Sequence, residues 1–340
     1  MNLMKATTVT GLFMSSRNLW AAAGLIFFLI FTGTVSASYS GDEPLAPVFY
    51  SELNGGYVFS TGDGIYSGQM NPGDEYNASF DIEIPSDAKP VFSRLYVYWA
   101  WSNFEKAAIY PSISVSGNPS GSHEFTMTGR YVDSKGFVSS YDFFSGTDSY
   151  DVTGIVPGIN SFSVDIRNSA TDNSTFVIEG LGLLVVYESP SSPLMQIWVN
   201  EGCDMLYNDY GITPEMATAT AVFNGSVDTG DVESARLELV APSGGYTRSD
   251  IPDKNIVRFN RDTGENLPGF LESIISAIFP GYNGKEWIDC FDSDELRQVG
   301  VEARDVGPYL RGNNNVVRVQ DRGDYMLFTN AILSIEKEGE

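Results

Sequence analysis

After residue 38, apolar residues recur at every second position or in short uninterrupted runs, and both patterns predict β-strands. Residues 79–84 alternate apolar with polar side chains, as in a half-buried strand. Residues 94–101 and 176–187 are apolar on both faces, which predicts central strands covered on two sides. Further apolar runs lie at 195–199, 218–223, 235–240, 316–319 and 325–335. The pattern therefore predicts an all-β chain.

One segment has a different period. Leu271, Ile274, Ile275 and Ile278 have the spacing of one helix face, so residues 267–279 are predicted to form a short helix. The Pro-Gly pair that follows would end it.

The two halves of the chain repeat one order of features. An Arg-Leu strand at 93–97 corresponds to 235–239, and an Asp-Val turn at 151–152 corresponds to 305–306. Each half then closes with a long apolar strand. The Gly-x-Asn turn at 158–160 is similar to turns in jelly-roll, galactose-binding-like modules of secreted glycosidases. This repetition favours two tandem antiparallel β-sandwiches of the jelly-roll type.

A short linker divides these halves. Residues 188–193 combine two prolines with serines directly after a predicted strand. We therefore expect a first β-sandwich domain at 38–190 and a second, containing the short helix, at 191–340.

The first 37 residues have the features of an export signal. Lys5 and Arg17 precede an apolar run at 19–35, and small residues at 35–37 provide a cleavage site after Ala37. The predicted signal peptide at 1–37 implies an extracellular or cell-surface location. The alternative is an uncleaved N-terminal anchor, which would be the protein's only contact with a membrane.

Composition narrows the function classes. The chain has 20 Lys+Arg against 44 Asp+Glu, for a formal net charge of −24, and so acidic a surface repels nucleic acid. A single histidine excludes metal sites built from several histidines. The sequence contains no Gly-x-Ser-x-Gly, His-Glu-x-x-His or phosphate-loop motif. We therefore expect a non-catalytic protein.

Export would make covalent modification possible at two residue types, cysteine and asparagine. Cys203 and Cys290 are the only cysteines, and outside the cell such a pair most simply forms one disulfide; two buried free thiols are the alternative. Asn77, Asn173 and Asn224 each begin an Asn-x-Ser/Thr triplet, the acceptor sequence for N-glycosylation, although Asn224-Gly225 also reads as a hairpin turn.

An acidic cluster suggests a structural calcium ion. Asn200, Glu201, Asp204 and Asp209 surround a glycine, and a disulfide would bring Asp292 close to them. Calcium takes six to eight oxygen ligands of this kind. The alternative is a solvated acidic loop, and no other cofactor is expected.

Aromatic side chains form the other candidate site. Tyr98 and Trp101 lie on the strand at 94–101, and Tyr141 and Phe143 lie in a Gly/Ser-rich loop. All four could stack on sugar rings, as aromatic platforms of carbohydrate-binding modules do. The alternative for Tyr98 and Trp101 is packing in the core.

Several strings together resemble one known family. They are SRLYVYW at 93–99, KGF at 135–137, YDVT at 150–153, IEGLGLLVVYE at 178–188 and WVNEG at 198–202. Over nearly the whole mature chain they resemble domain-of-unknown-function family 3344, found in exported cell-surface proteins of methanogenic archaea. The resemblance implies an archaeal envelope protein and no particular reaction.

Two functions follow as hypotheses. The first is a structural or interaction protein of the envelope, whose partners are other envelope proteins or like copies. The second is a lectin-like module that binds glycans.

Overall fold

The computed structural model describes residues 45–117, 123–134, 142–153, 161–209, 211–246, 251–261, 274 and 283–339. The elements with described bounds are β-strands and one 3-10 helix at Gly307–Tyr309, so the part of the chain that they cover is all-β, as predicted. The predicted helix at 267–279 lies, except for Ile274, outside the described residues, and so does the segment 1–37. In the part of the chain that the structure describes, no helix has the length and hydropathy needed to cross a membrane.

The strands are β1 (Ala46–Ser60), β2 (Gln69–Met70), β3 (Glu75–Asp81), β4 (Lys89–Phe104), β5 (Ala107–Ala108), β6 (Ile113–Gly117), β7 (His123–Glu124), β8 (Met127–Asp133), β9 (Phe144–Asp151), β10 (Ser161–Asn168), β11 (Thr175–Glu188), β12 (Leu194–Leu206), β13 (Thr218–Ser226), β14 (Val232–Pro242), β15 (Asn255–Phe259), β16 (Lys285–Ile288), β17 (Val299–Asp305), β18 (Asn313–Asp321) and β19 (Met326–Lys337). Each apolar run named above overlaps one of these strands.

The strands form one large antiparallel sheet and two small ones. The large sheet has the order β17-β14-β19-β12-β1-β11-β4-β9-β8, with β2 and β5 paired at its margins. The small sheets have the orders β3-β10-β6-β7 and β13-β18-β15-β16. We call β11, β4, β9 and β8 the first wing of the large sheet, and β12, β19, β14 and β17 the second wing.

Strand β1 joins the two wings. Residues up to Asn54 pair with β12, and residues from Gly55 onward pair with β11. At Gly55 a Cβ atom would lie 1.9 Å from the Tyr187 carbonyl oxygen, so only glycine permits this close approach. The predicted boundary at 190/191 falls between β11 and β12, and the large sheet continues across it through β1.

Three apolar cores follow from this layering. The first wing packs on the sheet β3-β10-β6-β7 around residues such as Phe80, Leu95, Trp99 and Phe162. The second wing packs on the sheet β13-β18-β15-β16 around residues such as Phe223, Leu237, Val319 and Phe328. The third core lies between the wings and draws residues from both, including Tyr96, Tyr98, Leu184, Val199 and Ile332. Strands β4, β11, β12 and β19 therefore bury both faces.

Matching strands of the two halves have matching neighbours. The order β1-β11-β4-β9 recurs as β12-β19-β14-β17, and β3-β10-β6-β7 recurs as β13-β18-β15-β16. Arg94 pairs in register with Asp151, and Arg236 pairs in register with Asp305. The repeated sequence features therefore occupy equivalent positions in the sheets.

Candidate functional site

Two strained residues lie at one end of the wings. The pairing of β4 with β9 shifts register between Trp99 and Ser102, and Trp101 within this bulge has a φ of 58°. Tyr325, just before β19, has a φ of 61°. Non-glycine residues rarely adopt such left-handed backbone, and where they do, the position is often a functional one. Because of the bulge, Trp101 is 39% exposed, whereas Trp99 is fully buried.

These two residues and two neighbours form what we call the aromatic surface: Trp101, Phe143, Tyr207 and Tyr325. The Trp101 ring lies 6.3 Å from that of Phe143 and 6.1 Å from that of Tyr325. The Tyr207 ring meets Tyr325 edge-on at 5.3 Å. Trp101 and Phe143 come from the first half and the two tyrosines from the second, so the surface requires both halves.

A buried carboxylate lies near the aromatic surface. Glu201, 3% exposed, accepts hydrogen bonds from the hydroxyls of Tyr96 at 2.9 Å, Tyr131 at 2.9 Å and Ser149 at 3.3 Å. Burial, reinforced by Glu201, raises the pKa of both tyrosines, so they remain donors at neutral pH. Tyr131 and Tyr325 also pack on the small apolar cluster of Cys203, Met205 and Leu327. This network connects the first wing to the second.

A second buried carboxylate, Glu179, is less well paired. It lies at a bulge of β11 between Ile178 and Gly180 and is 2% exposed. Its Oε2 accepts no hydrogen bond from the described residues. Burial raises the pKa of Glu179 to about 7, and its charge contributes to raising the pKa of Tyr325. Glu179 therefore lies in the same buried region between the wings.

The predicted calcium ligands do not converge. Neighbouring residues of a strand point to opposite faces, so Glu201 faces the third core. Asn200 pairs with Ala331, and Asp204 pairs with Phe328. Both of these partners belong to the core between the second wing and the sheet β13-β18-β15-β16, on the opposite face from Glu201. Asp209 is half-buried after β12, and Asp292 is exposed after β16. Among the described residues, no three acidic, cysteine or histidine side chains are placed to hold a metal ion.

The predicted disulfide does not form in this structure. Cys203 and Cys290 are both buried free thiols, which was the alternative. Cys203 packs with Met205 and Leu327, whereas Cys290 belongs to the core between the second wing and its small sheet. Burial raises the pKa of Cys290 to about 11 and that of Cys203 well above its ordinary value. The two side chains belong to separate apolar clusters, so the structure does not bring the predicted pair together.

Of the four predicted stacking residues, two lie in the aromatic surface, one lies in the core and one lies outside the described residues. Trp101 and Phe143 meet in the aromatic surface. Tyr98 has no exposed area and donates a hydrogen bond to Asn330 Oδ1 at 2.7 Å, so it lies in the core, the stated alternative. Tyr141 lies outside the described residues. Sequence reasoning missed Tyr207 and Tyr325, because nothing in the local pattern places them beside residues of the first half.

The three predicted glycosylation acceptors, Asn77, Asn173 and Asn224, are all exposed. Asn77 lines an open polar groove of about 480 Å³ on the outer face of the sheet β3-β10-β6-β7, with Glu75, Ser114, Ser116, Asp165 and Arg167 among its walls. A glycan on Asn77 would cover this groove. Glycosylation itself stays a prediction.

The strings at 93–202 that resemble a known family lie within a longer family match. The family described as "Protein of unknown function (DUF3344)" matches residues 38–336. The chain belongs to this family. Strands β1 to β19, both wings and the aromatic surface lie within the matched DUF3344 region, apart from Lys337, the last residue of β19. No curated protein matches the chain.

Solved structures offer only distant likenesses. PNGase F, a glycosylasparaginase from Flavobacterium meningosepticum, is 9% identical with a TM-score of 0.26, over 83% of this chain and 96% of that one. A β-porphyranase from Bacteroides plebeius is 12% identical with a TM-score of 0.23, over 88% and 37% of the chains. The major capsid protein P2 of bacteriophage PM2 is 8% identical with a TM-score of 0.20, over 84% and 98%. At these TM-scores the likenesses support no conclusion about activity.

Proposed function

We propose that this DUF3344 protein is an exported, non-catalytic interaction protein of an archaeal cell envelope, built as two tandem jelly-roll-like sandwiches. The aromatic surface of Trp101, Phe143, Tyr207 and Tyr325 carries the proposal. It contains a partly exposed tryptophan, Trp101, whose backbone has a strained left-handed conformation. Such strained residues persist only where the surrounding structure holds them in place, and they cluster at functional sites. Exposed apolar surface ringed by polar groups is typical of interaction sites.

A lectin-like function is the second candidate, and the pairing of Trp101 with Phe143 favours it. The flat faces of aromatic rings bind the apolar faces of sugars, while neighbouring polar groups bind sugar hydroxyls. The hydroxyl of Tyr207 donates a 3.4 Å hydrogen bond to Asp209, which supplies a carboxylate beside the rings. The acidic composition suits neutral or cationic glycans better than sulfated or phosphorylated ones.

A glycan array with the protein lacking residues 1–37 tests the lectin-like function. We expect binding that Trp101→Ala abolishes and that Tyr50→Ala preserves, because Tyr50 is 52% exposed but lies on β1 beside Trp198. Circular dichroism of both variants checks that they fold. Binding that survives Trp101→Ala would show that the aromatic surface is not the glycan site.

Self-association and cell fractionation test the broader proposal. If the partner is a like copy or another envelope protein, sedimentation and co-purification from envelope fractions should depend on Trp101. A protein that stays monomeric, binds no glycan and fractionates with the cytosol would refute an envelope interaction role.

A further inference from the structure

Lys254 and Asp324 form a buried ion pair away from the aromatic surface. Lys254 directly precedes β15, and Asp324 lies in the turn between β18 and β19. The Lys254 Nζ lies 3.9 Å from Asp324 Oδ1, and the two side chains are 9% and 0% exposed. A buried pair of this kind costs desolvation energy that the ionic attraction repays only with good hydrogen bonding.

The hydrogen bonds around the Asp324 carboxylate are unequal. Its Oδ2 accepts from the Gly245 backbone N–H at 2.8 Å and from Asn255 Nδ2 at 2.8 Å. Its Oδ1, the oxygen within ion-pair distance of the lysine, accepts no hydrogen bond from the described residues. The Lys254 Nζ donates to the Gly245 carbonyl oxygen at 2.5 Å, which fixes the direction of the amine.

This arrangement has the parts needed for acyl transfer. Two donors converge on one carboxyl oxygen, as in an oxyanion hole, so they would stabilise the negative charge of a tetrahedral intermediate there. The other oxygen is unconstrained and is the one nearer the amine. Asp321 Oδ1 accepts from the Asp324 backbone N–H at 2.6 Å and anchors the turn that presents the carboxyl group.

We propose that Lys254 and Asp324 become covalently joined by an isopeptide bond. A proton first passes from the Lys254 ammonium group to Asp324 Oδ1, and the Nζ lone pair that this frees attacks Asp324 Cγ, so that an N–C bond forms. The bond from Cγ to Oδ1 then breaks, and Oδ1 leaves as water with the transferred proton and one further proton from Nζ. Oδ2 remains as the amide oxygen. Nothing is oxidised or reduced, so the pair needs no co-reactant.

Two further features support the proposal. Burial raises the pKa of Asp324 to about 6, which favours the protonated carboxyl group that an amine can attack. Conversion of the pair into an amide also removes two charges from a buried site. Lys337 and Asp231 form a contrasting pair at 3.6 Å, in which the aspartate is 50% exposed. That pair provides a matched control.

Mass spectrometry of the folded protein tests the proposal. We expect a protease digest to contain a branched peptide that joins Lys254 to Asp324 and is lighter by one water than its two parts. Lys254→Met should give only the linear peptides. Asp324→Asn should give the same branched peptide with loss of ammonia in place of water, and Lys337→Met should leave the branched peptide unchanged.

The digest of the wild-type protein decides the outcome, so the test does not depend on any variant folding. Linear peptides containing Lys254 and Asp324, recovered at full mass from protein whose circular dichroism shows strands, would overturn the proposal. A branched peptide that persists in Lys254→Met would assign the cross-link to another lysine and would overturn it as well.

Discussion

The burial of Glu179 makes the stability of the protein depend on pH. It is 2% exposed, and its Oε2 has no hydrogen-bond donor among the described residues. Burial raises its pKa from 4.5 to about 7. The native protein therefore holds this proton up to about pH 7, whereas the unfolded chain releases it near pH 4.5. Stability must fall as the pH rises between these values.

We expect Glu179→Gln to remove this pH dependence. The variant should gain on the order of 3 kcal/mol over wild type at pH 8 and little at pH 4.5, because a pKa difference of this size carries that free energy. Urea unfolding of both proteins at the two pH values measures it. Asp324 also titrates in this range, so the difference between the two proteins is the informative quantity. An equal gain at both pH values would mean that Glu179 is ionised in the native protein.

At this scale the sequence alone could predict little. Tyr98 and Glu201 were candidate ligand residues because of their types, yet both bind other protein groups. The partners are distant in sequence: Tyr96 lies 105 residues from Glu201, and Tyr98 lies 232 residues from Asn330. Composition and local spacing contain no information on such pairs, which only the packing of the two wings creates.

At the scale of elements, the two halves use one turn design. The Asp151 carboxylate accepts from the backbone N–H of Thr153 at 2.9 Å, and the Asp305 carboxylate accepts from that of Gly307 at 3.0 Å. The next strand contact is also repeated, because the Val152 N–H donates to Ser93 and the Val306 N–H donates to Ala235. The repeated Asp-Val pair is therefore a structural signal rather than a catalytic one.

We expect Asp151→Ala and Asp305→Ala each to destabilise the protein by about 1 kcal/mol, the net value of one such hydrogen bond. Asp151→Asn and Asp305→Asn should restore most of the loss, because an amide oxygen accepts the same bond. Denaturant midpoints of the four variants provide the measurement. If the Ala and Asn variants were equally stable at both positions, the turn hydrogen bond would not be the reason for the repeat.

Strands with strong alternation or a continuous apolar run were predictable from the sequence. Alternation reflects burial of one face of a strand, and a continuous apolar run reflects burial of both faces. Strand β11 was expected at 176–187 and occupies Thr175–Glu188. Strand β1 was missed: its residues alternate poorly and it contains a Gly-Gly pair, since it changes partner in mid-course. Irregular strands of this kind lack the periodicity on which sequence-based prediction depends.

For the whole molecule, the shared strand β1 makes the two halves interdependent. A fragment of residues 191–340 would lack β1, leaving β12 as an unpaired edge and exposing its side of the third core. We therefore expect fragments 38–190 and 191–340, produced as separate chains, to copurify as a one-to-one complex. The second fragment alone should aggregate, and size-exclusion chromatography distinguishes these states.

A matched pair of substitutions in the second fragment tests whether the third core causes the association. Val199 is fully buried between the wings, so Val199→Asp places a charge where neither wing offers a partner. Asn224→Asp adds the same charge at an exposed position of β13. Copurification should be lost with the first change and kept with the second. Two fragments that were each monodisperse alone and indifferent to each other would instead mean that the halves are independent domains, joined only by the linker between β11 and β12.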